Sequence, residues 1–109
     1  MKELRIKFDF SHGPIWKDRY DVRTGEWSTG IDVIDNDQTL SELNDKAEKE
    51  YTSLYFFDKN GVLQFDAKAF DAKRNTLATL LQAIILRINS LNDGSFNVID
   101  EESNKLVAR

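Results

Sequence analysis

Apolar residues between Asp66 and Gly94 recur at intervals of three, four and seven positions, which is the spacing of one helix face. The series is Phe70, Leu77, Leu81, Ile84, Ile88 and Leu91. Asp66 or Asp71 can cap the start, because a carboxylate accepts hydrogen bonds from first-turn N–H groups. Gly94 can end the helix, because glycine adopts the left-handed conformation with little strain. The pattern therefore predicts a core helix over about residues 67–92.

Alternation of apolar and polar residues predicts three strands in the first third of the chain. The first covers residues 3–10, and the second covers residues 16–22 after a Gly-Pro turn. A short link at 23–25 ends in Gly25, a residue type that supplies the positive φ of a hairpin loop. Residues 27–33 then return as the third strand. We expect these strands to form an antiparallel meander.

The middle of the chain begins with a second helix, predicted over about residues 38–52. Thr39 and Glu42 have the spacing of a capping box at its start. Residues 53–57 and 62–65 favour a hairpin around the turn at 58–61, although a helix that continues to Phe57 is an alternative. After the long helix, residues 96–100 predict a strand, and residues 105–108 can pair back on it.

This order of elements predicts an α+β fold in a single domain, residues 1–109. Its antiparallel sheet comprises the N-terminal three-stranded meander, the central hairpin and a C-terminal strand or hairpin. Two helices pack on one face of the sheet, as in a split βαβ unit. With 109 residues, 40% of them hydrophobic, the chain has enough apolar material for one core.

The composition narrows the classes of function. Cysteine is absent, which excludes disulfides and thiolate metal sites and fits a reducing cytoplasm. The N-terminus lacks the apolar run of a signal peptide, and no segment has the length of a membrane span. The net charge is −4, and residues 35–66 alone carry three basic and eight acidic side chains. Nucleic acid is therefore not expected as a partner, because binding its phosphates requires clustered Lys and Arg.

Few residues suggest a catalytic or metal-binding site. His12 is the only histidine, and beside a Gly-Pro turn it is expected to be structural. Asp32, Asp35 and Asp37 form the densest cluster of oxygen ligands, which could bind Mg²⁺ or Ca²⁺ in a small carboxylate- or metal-dependent hydrolase. The same residue types commonly serve as caps and turn formers, and that is the simpler interpretation. No catalytic residue, metal ligand or cofactor is assigned.

Aromatic and basic side chains alternate along the predicted second and third strands. Trp, Tyr and Arg dominate the hot spots of protein–protein interfaces. The candidates for partner binding here are Trp16, Arg19, Tyr20, Arg23 and Trp27. The alternative is that the two tryptophans cover the core face of the sheet.

The predicted second helix is acidic, with Glu42, Asp45 and Glu48 as candidates for contact with a basic partner. In the alternative interpretation these charges belong to an ordinary solvated face. Lys46 follows Glu42 by four residues and Lys49 follows Asp45 by four, a spacing that allows ion pairs within the helix.

Together these features predict a small acidic cytosolic protein-interaction module without catalytic activity. Its partner is expected to be a protein, with a basic surface as the favoured chemistry. Microbial immunity and inhibitor proteins, which mask a partner, are the kind of protein that this description fits. Two alternatives stay open: the hydrolase above, and a homodimeric structural module that buries a sheet edge or a surplus face of the long helix between copies.

Overall fold

The computed structural model describes residues 2–9 and 12–102. In this part of the chain the fold is α+β, with three helices, two antiparallel strand pairs and one parallel pair. The elements in chain order are β1 (Lys2–Ile6), β2 (Arg19–Asp21), β3 (Glu26–Ser28), α1 (Asp32–Asp35), α2 (Gln38–Thr52), β4 (Tyr55–Phe57), β5 (Leu63–Phe65), α3 (Ala67–Leu91) and β6 (Phe96–Asp100).

The long helix α3 confirms the prediction from the apolar spacing. Asp66 caps it, accepting a hydrogen bond from the Ala69 N–H at 3.0 Å. One face is buried, through Leu77, Leu80, Leu81, Ile84 and Ile88. The helix closes at Asn92, whose backbone is extended. Gly94, at φ 93°, belongs to the following turn and does not end the helix as predicted.

Helix α2 covers the predicted residues, but a different side chain caps it. Asp37 accepts a hydrogen bond from the Leu40 N–H at 2.9 Å. Thr39 lies inside the first turn, so the predicted capping box is wrong. Glu42 instead accepts a hydrogen bond from Gln38 Nε2 at 3.1 Å.

The strands β1 and β6 are parallel neighbours, with Lys2 opposite Phe96 and Ile6 opposite Asp100. The predicted sheet was wholly antiparallel, and this pair corrects it. After α3 the chain begins β6 opposite Lys2, the first residue of β1, and β6 runs in the same direction as β1. A helical crossover is the usual way to connect to a parallel pair.

The predicted three-stranded meander is not formed, because β2 and β3 pair only with each other in the described residues. Their link turns at Gly25 with φ 74°, as expected. The third strand ends at Ser28. The Asp35 carboxylate accepts hydrogen bonds from the Thr29 N–H (2.9 Å) and the Gly30 N–H (3.1 Å), and Gly30 has φ 77°. The chain then enters α1, where Ile31 at the N-cap and Ile34 inside the helix are buried, whereas Val33 is exposed.

The segment after β1 folds back along its free edge. The Lys7 N–H donates to the Pro14 carbonyl at 2.8 Å, and the Trp16 N–H donates to the Arg5 carbonyl at 3.0 Å. These hydrogen bonds place Trp16 beside β1. The predicted second strand, residues 16–22, is shorter in the structure and consists of the three residues of β2.

The hairpin β4–β5 confirms the sequence prediction, and a helix that continues to Phe57 is wrong. Gly61 turns the loop with φ 78°, and Asp58 accepts hydrogen bonds from the N–H groups of Asn60 (2.8 Å) and Val62 (3.0 Å). The predicted strand at 105–108 lies outside the described residues.

One apolar core joins β1, the helices and β6, with Leu4, Ile6, Leu40, Leu81, Ile84 and Phe96 among its members. Glu102 is buried and accepts a hydrogen bond from the Phe8 N–H at 2.9 Å. None of the described helices has both the length and the apolar character needed to cross a membrane.

Candidate functional site: a tryptophan–carboxylate cleft

A cleft of about 420 Å³ lies between residues 12–18, the hairpin β2–β3 and helix α2. Trp16 and Trp27 supply its aromatic walls, and α2 contributes Asp45 and Glu48. Its other lining residues are His12, Gly13, Ile15, Lys17, Asp18 and Asn44. We call this the tryptophan–carboxylate cleft. It brings together four of the eight side chains that the sequence indicated for partner binding, from two segments that the sequence analysis treated separately.

Asn44 fixes the two sides of the cleft against each other. Its side-chain oxygen accepts a hydrogen bond from the Ile15 N–H at 2.9 Å, and the residue is buried. Gly13 packs so closely on Asn44 that a Cβ at position 13 would overlap the amide group. Asn44 was not among the residues that the sequence indicated. The available signal was a polar residue within an apolar helix stripe, four positions after Leu40 and three before Ala47.

The tryptophans are not core residues. Trp16 is half-buried, and its ring lies 5.1 Å from the His12 ring between centroids. The Lys7 ammonium lies 5.9 Å from the Trp16 ring centroid, so this ring already has one cation near it. Trp27 is 58% exposed and packs edge-on against Tyr20, with centroids 5.1 Å apart. The interpretation in which both tryptophans cover the core is therefore wrong.

The carboxylates that α2 contributes to the cleft, those of Asp45 and Glu48, are not paired with a basic side chain among the described residues. The expected ion pairs between Glu42 and Lys46 and between Asp45 and Lys49 are not among those formed in residues 2–9 and 12–102. Within the same residues, neither Asp45 nor Glu48 makes an ion pair or a side-chain hydrogen bond. Among the described residues that line the cleft there are three carboxylates, those of Asp18, Asp45 and Glu48, and one ammonium group, that of Lys17.

The remaining predicted partner-binding residues lie outside the cleft. Arg19 is opposite Ser28 in the hairpin register, one position from the Tyr20–Trp27 pair, so it points to the other face. There it lines a neighbouring cleft of about 760 Å³. Arg23 lies in the β2–β3 turn, where its Nε is 3.5 Å from Asp21. Glu42 is on α2 but does not line the tryptophan–carboxylate cleft.

The three aspartates proposed as metal ligands bind to different groups. Asp35 accepts hydrogen bonds from Thr29 and Gly30, whereas Asp37 binds the Leu40 N–H and the Arg87 guanidinium. Asp32 lines the neighbouring cleft. In the described part of the chain, no three His, Cys, Asp or Glu side chains are placed to hold a metal ion. The hydrolase alternative therefore has no metal site in these residues.

Asp37 instead connects α2 to α3. Arg87 donates two hydrogen bonds to its carboxylate, from Nη2 at 2.6 Å and from Nε at 3.1 Å. These two hydrogen bonds are the main reason that the pKa of Asp37 lies below its usual value, and the hydrogen bond from the Leu40 N–H lowers it further. A carboxylate with a lowered pKa in the folded state stabilises the fold at neutral pH. That stabilisation is lost as the pH falls through the folded-state value.

We expect the thermal midpoint to fall as the pH drops below about 4, the ordinary aspartate pKa, and to fall less steeply in Asp37→Asn. Hydrogen bonds from Val62 and from Ser95 also lower the pKa values of Asp58 and Asp93, so the variant keeps part of the dependence. Thermal melts between pH 2.5 and pH 7 test this (about the range over which carboxylates titrate). The exposed Asp32→Asn is the control and should follow the parent curve. Identical curves for Asp37→Asn and the parent would contradict the assignment.

The cleft has the chemistry of a cation-binding site. Aromatic ring faces attract ammonium and guanidinium groups, most strongly when the ring is tryptophan. Carboxylates beside those rings attract the same cations by direct charge–charge interaction and can accept hydrogen bonds from them.

No protein-family model, no curated protein and no solved structure matches this chain. A functional proposal therefore rests on the geometry of the cleft.

Proposed function

We propose that this chain is a protein-interaction module without catalytic activity, and that its partner inserts a lysine or arginine side chain into the tryptophan–carboxylate cleft. The observation that supports it is that Asp45 and Glu48, beside Trp16 and Trp27, make no ion pair with any described residue. Two unneutralised carboxylates and two indole rings form a site that gains from a cation. Cation–π attraction contributes about 0.5–2 kcal/mol, depending on desolvation.

A protein is favoured over a free small cation because the apolar surface extends beyond the cleft. Trp27 and Tyr20 are both more than half exposed at its rim, and such residues are typical interface anchors. The acidic middle third of the chain favours fast association with a basic surface. Masking of a basic partner, as immunity and inhibitor proteins do, agrees with these features. The lack of cysteine supports a cytoplasmic setting for this role.

The first test uses a minimal cation. N-acetyl-arginine amide is titrated into ¹⁵N-labelled protein, and the indole N–H signals of the two tryptophans are followed by NMR. Both signals are expected to shift with a dissociation constant on the order of 1 mM, equivalent to about 4 kcal/mol. The uncharged isostere N-acetyl-citrulline amide should produce no saturable shift, because it keeps the shape and loses the charge.

Matched variants locate the effect. Glu48→Gln and Asp45→Asn should each weaken arginine-amide binding by roughly three- to fivefold, since loss of one partly exposed charge removes up to about 1 kcal/mol. Glu42→Gln removes the same charge from the same helix outside the cleft and should bind as the parent does. Equal binding by all three variants, or equal shifts with the citrulline compound, would exclude a cation site here.

Arg19, Tyr20 and Arg23 stay predictions as partner contacts. Tyr20 is adjacent to the cleft through its contact with Trp27. Arg19 lies on the opposite face of the same hairpin, where it can contact a partner only if that partner is large enough to cover both faces. Peptides longer than the single amino-acid amide therefore extend the same NMR experiment to the amide signals of β2.

A further inference from the structure

We infer that an extended segment of a partner protein adds as a further strand to the free edge of β1. This edge forms one wall of the neighbouring cleft of about 760 Å³, through Lys2, Glu3 and Arg5. The opposite wall comes from the chain around residues 16–19 and 29–33. We call this the β1-edge cleft. The inference requires no basic side chain on the partner and therefore goes beyond the cation site proposed above.

The hydrogen bonds around β1 show which of its backbone groups are free. The Ile6 carbonyl accepts from the Glu101 N–H at 2.9 Å, so the backbone groups of Ile6 point toward β6. Because these groups alternate in direction along a strand, those of Glu3 and Arg5 point to the opposite edge. There the Arg5 carbonyl accepts from the Trp16 N–H. The Arg5 N–H and both backbone groups of Glu3 have no hydrogen-bond partner among the described residues.

These free groups have the spacing that another strand requires. Glu3 and Arg5 are two residues apart, about 6.8 Å along a strand, which is the repeat at which a neighbouring strand presents its own N–H and C=O groups. The fold already begins such a pairing, since Pro14 and Trp16 bond to Lys7 and Arg5 on this edge. Beyond Trp16 the chain leaves the edge, because its carbonyl does not accept from the Arg5 N–H. The rest of the edge is available for strand addition.

The charges of the β1-edge cleft favour recognition of a main chain over recognition of a charged ligand. Basic and acidic lining residues are equal in number: Lys2, Arg5 and Arg19 against Glu3, Asp18 and Asp32. Neither an anion nor a cation is therefore strongly attracted. The Lys2 ammonium also donates to the Gly30 carbonyl at 2.6 Å. The specific feature of this wall is the row of free backbone groups, which an extended peptide matches largely independently of its sequence.

A flexible segment suits this cleft better than a second folded copy does. A second copy would have to bring its own β1 edge, which is bounded by the same opposite wall, and the two walls would collide. Two chains of net charge −4 also repel each other. An extended segment that orders on binding can enter between the walls. Trp16 and Asp18 line both this cleft and the tryptophan–carboxylate cleft, so one partner can occupy both.

The test uses a neutral peptide with strand-forming residues, Ac-Thr-Val-Thr-Val-Thr-NH₂, titrated into the ¹⁵N-labelled full chain. The amide signals of Glu3 and Arg5 are expected to shift with a dissociation constant on the order of 1 mM, and their exchange with solvent should slow. The same peptide N-methylated at every residue keeps its side chains but cannot pair as a strand, so it should produce no saturable shift. The neutral probe keeps this result separate from the arginine-amide titration.

Proline variants identify the edge. Arg5→Pro removes the free N–H, and proline is tolerated where a strand N–H faces away from its neighbour. Arg5→Ala removes the same side chain and keeps the N–H, so Arg5→Pro should bind the peptide roughly tenfold more weakly than Arg5→Ala. The control is Leu63→Pro. Hydrogen bonds from Asp58 to Val62 and from Asp66 to Leu54 set the register in which the Leu63 N–H faces outward. Leu63→Pro should bind as the parent does.

The parent protein decides the matter even if Arg5→Pro does not fold, because amide exchange and the methylated peptide need no variant. No saturable shift of Glu3 and Arg5 up to about 10 mM peptide, well above the expected dissociation constant, overturns the inference. Equal shifts with the methylated peptide, or equal binding by Arg5→Pro and Arg5→Ala, also overturn it. Loss of binding in Leu63→Pro, or shifts confined to β4–β5, would move the site to the other hairpin. Folded Arg5→Pro should still bind arginine amide.

Discussion

Replacement of Ile84 by alanine is expected to lower the free energy of unfolding by about 2–5 kcal/mol. Ile84 lies in the middle of α3 with no exposed surface, in the core cluster that also contains Leu4 of β1 and Leu40 of α2. Truncation removes buried methyl groups and leaves a cavity, because three elements that meet there cannot all move to close it. The residual cavity adds to the lost transfer energy.

The matched control is Gln82→Ala, at an exposed position two residues earlier on the same helix, where the change should stay within about 0.5 kcal/mol. Lys73, another polar position on α3, is unsuitable as a control because its ammonium binds Glu50 of α2 (3.0 Å) and Ser53 at the C-cap of α2 (2.9 Å). Urea titrations with a shared m-value give the difference. Equally small losses for Ile84→Ala and Gln82→Ala would contradict the core assignment.

The second large effect is expected from Gly13→Ala, which should destabilise the fold by about 1–3 kcal/mol or more through overpacking. The new methyl group would overlap the Asn44 amide. Asn44 cannot move aside freely, because its oxygen is the partner of the buried Ile15 N–H. An unsatisfied buried N–H group costs about 1–3 kcal/mol.

A double-mutant cycle separates this contact from a general backbone effect. Asn44→Ala alone should destabilise the fold by about 1–3 kcal/mol, and Gly13→Ala should add little in that background, because the obstructing amide is gone. Additive losses would show that the overlap with Asn44 is not the cause. Gly13→Ala should also weaken arginine-amide binding, since residues 12–18 carry Trp16 while α2 carries Asp45 and Glu48. Unaltered binding would mean that this contact does not set the cleft geometry.

The candidate site shows where sequence reasoning reached its limit. Tryptophans and carboxylates could be selected one by one, because their residue types carry interface chemistry wherever they lie. These side chains meet in one cleft because residues 12–18 pack on α2. Arg19 lies on the opposite face because of its register in the hairpin β2–β3. The packing on α2 depends on the contact between Gly13 and Asn44, 31 residues apart in the sequence.

The sequence by itself determined the elements that local interactions decide. Helix α3 follows from apolar spacing and the Asp66 cap, and the turns at Gly25 and Gly61 follow from residues that accept positive φ. Only the tertiary structure decided the parallel pairing of β1 with β6, which joins segments more than 90 residues apart. It also decided that Ile31, at the N-cap of a short helix, and Ile34, within that helix, are buried in the core, although Ile31 and Val33 alternate as in a strand. The reason is physical: periodicity records which side of a segment is apolar, whereas strand partners and cleft walls depend on which apolar faces meet when the whole core closes.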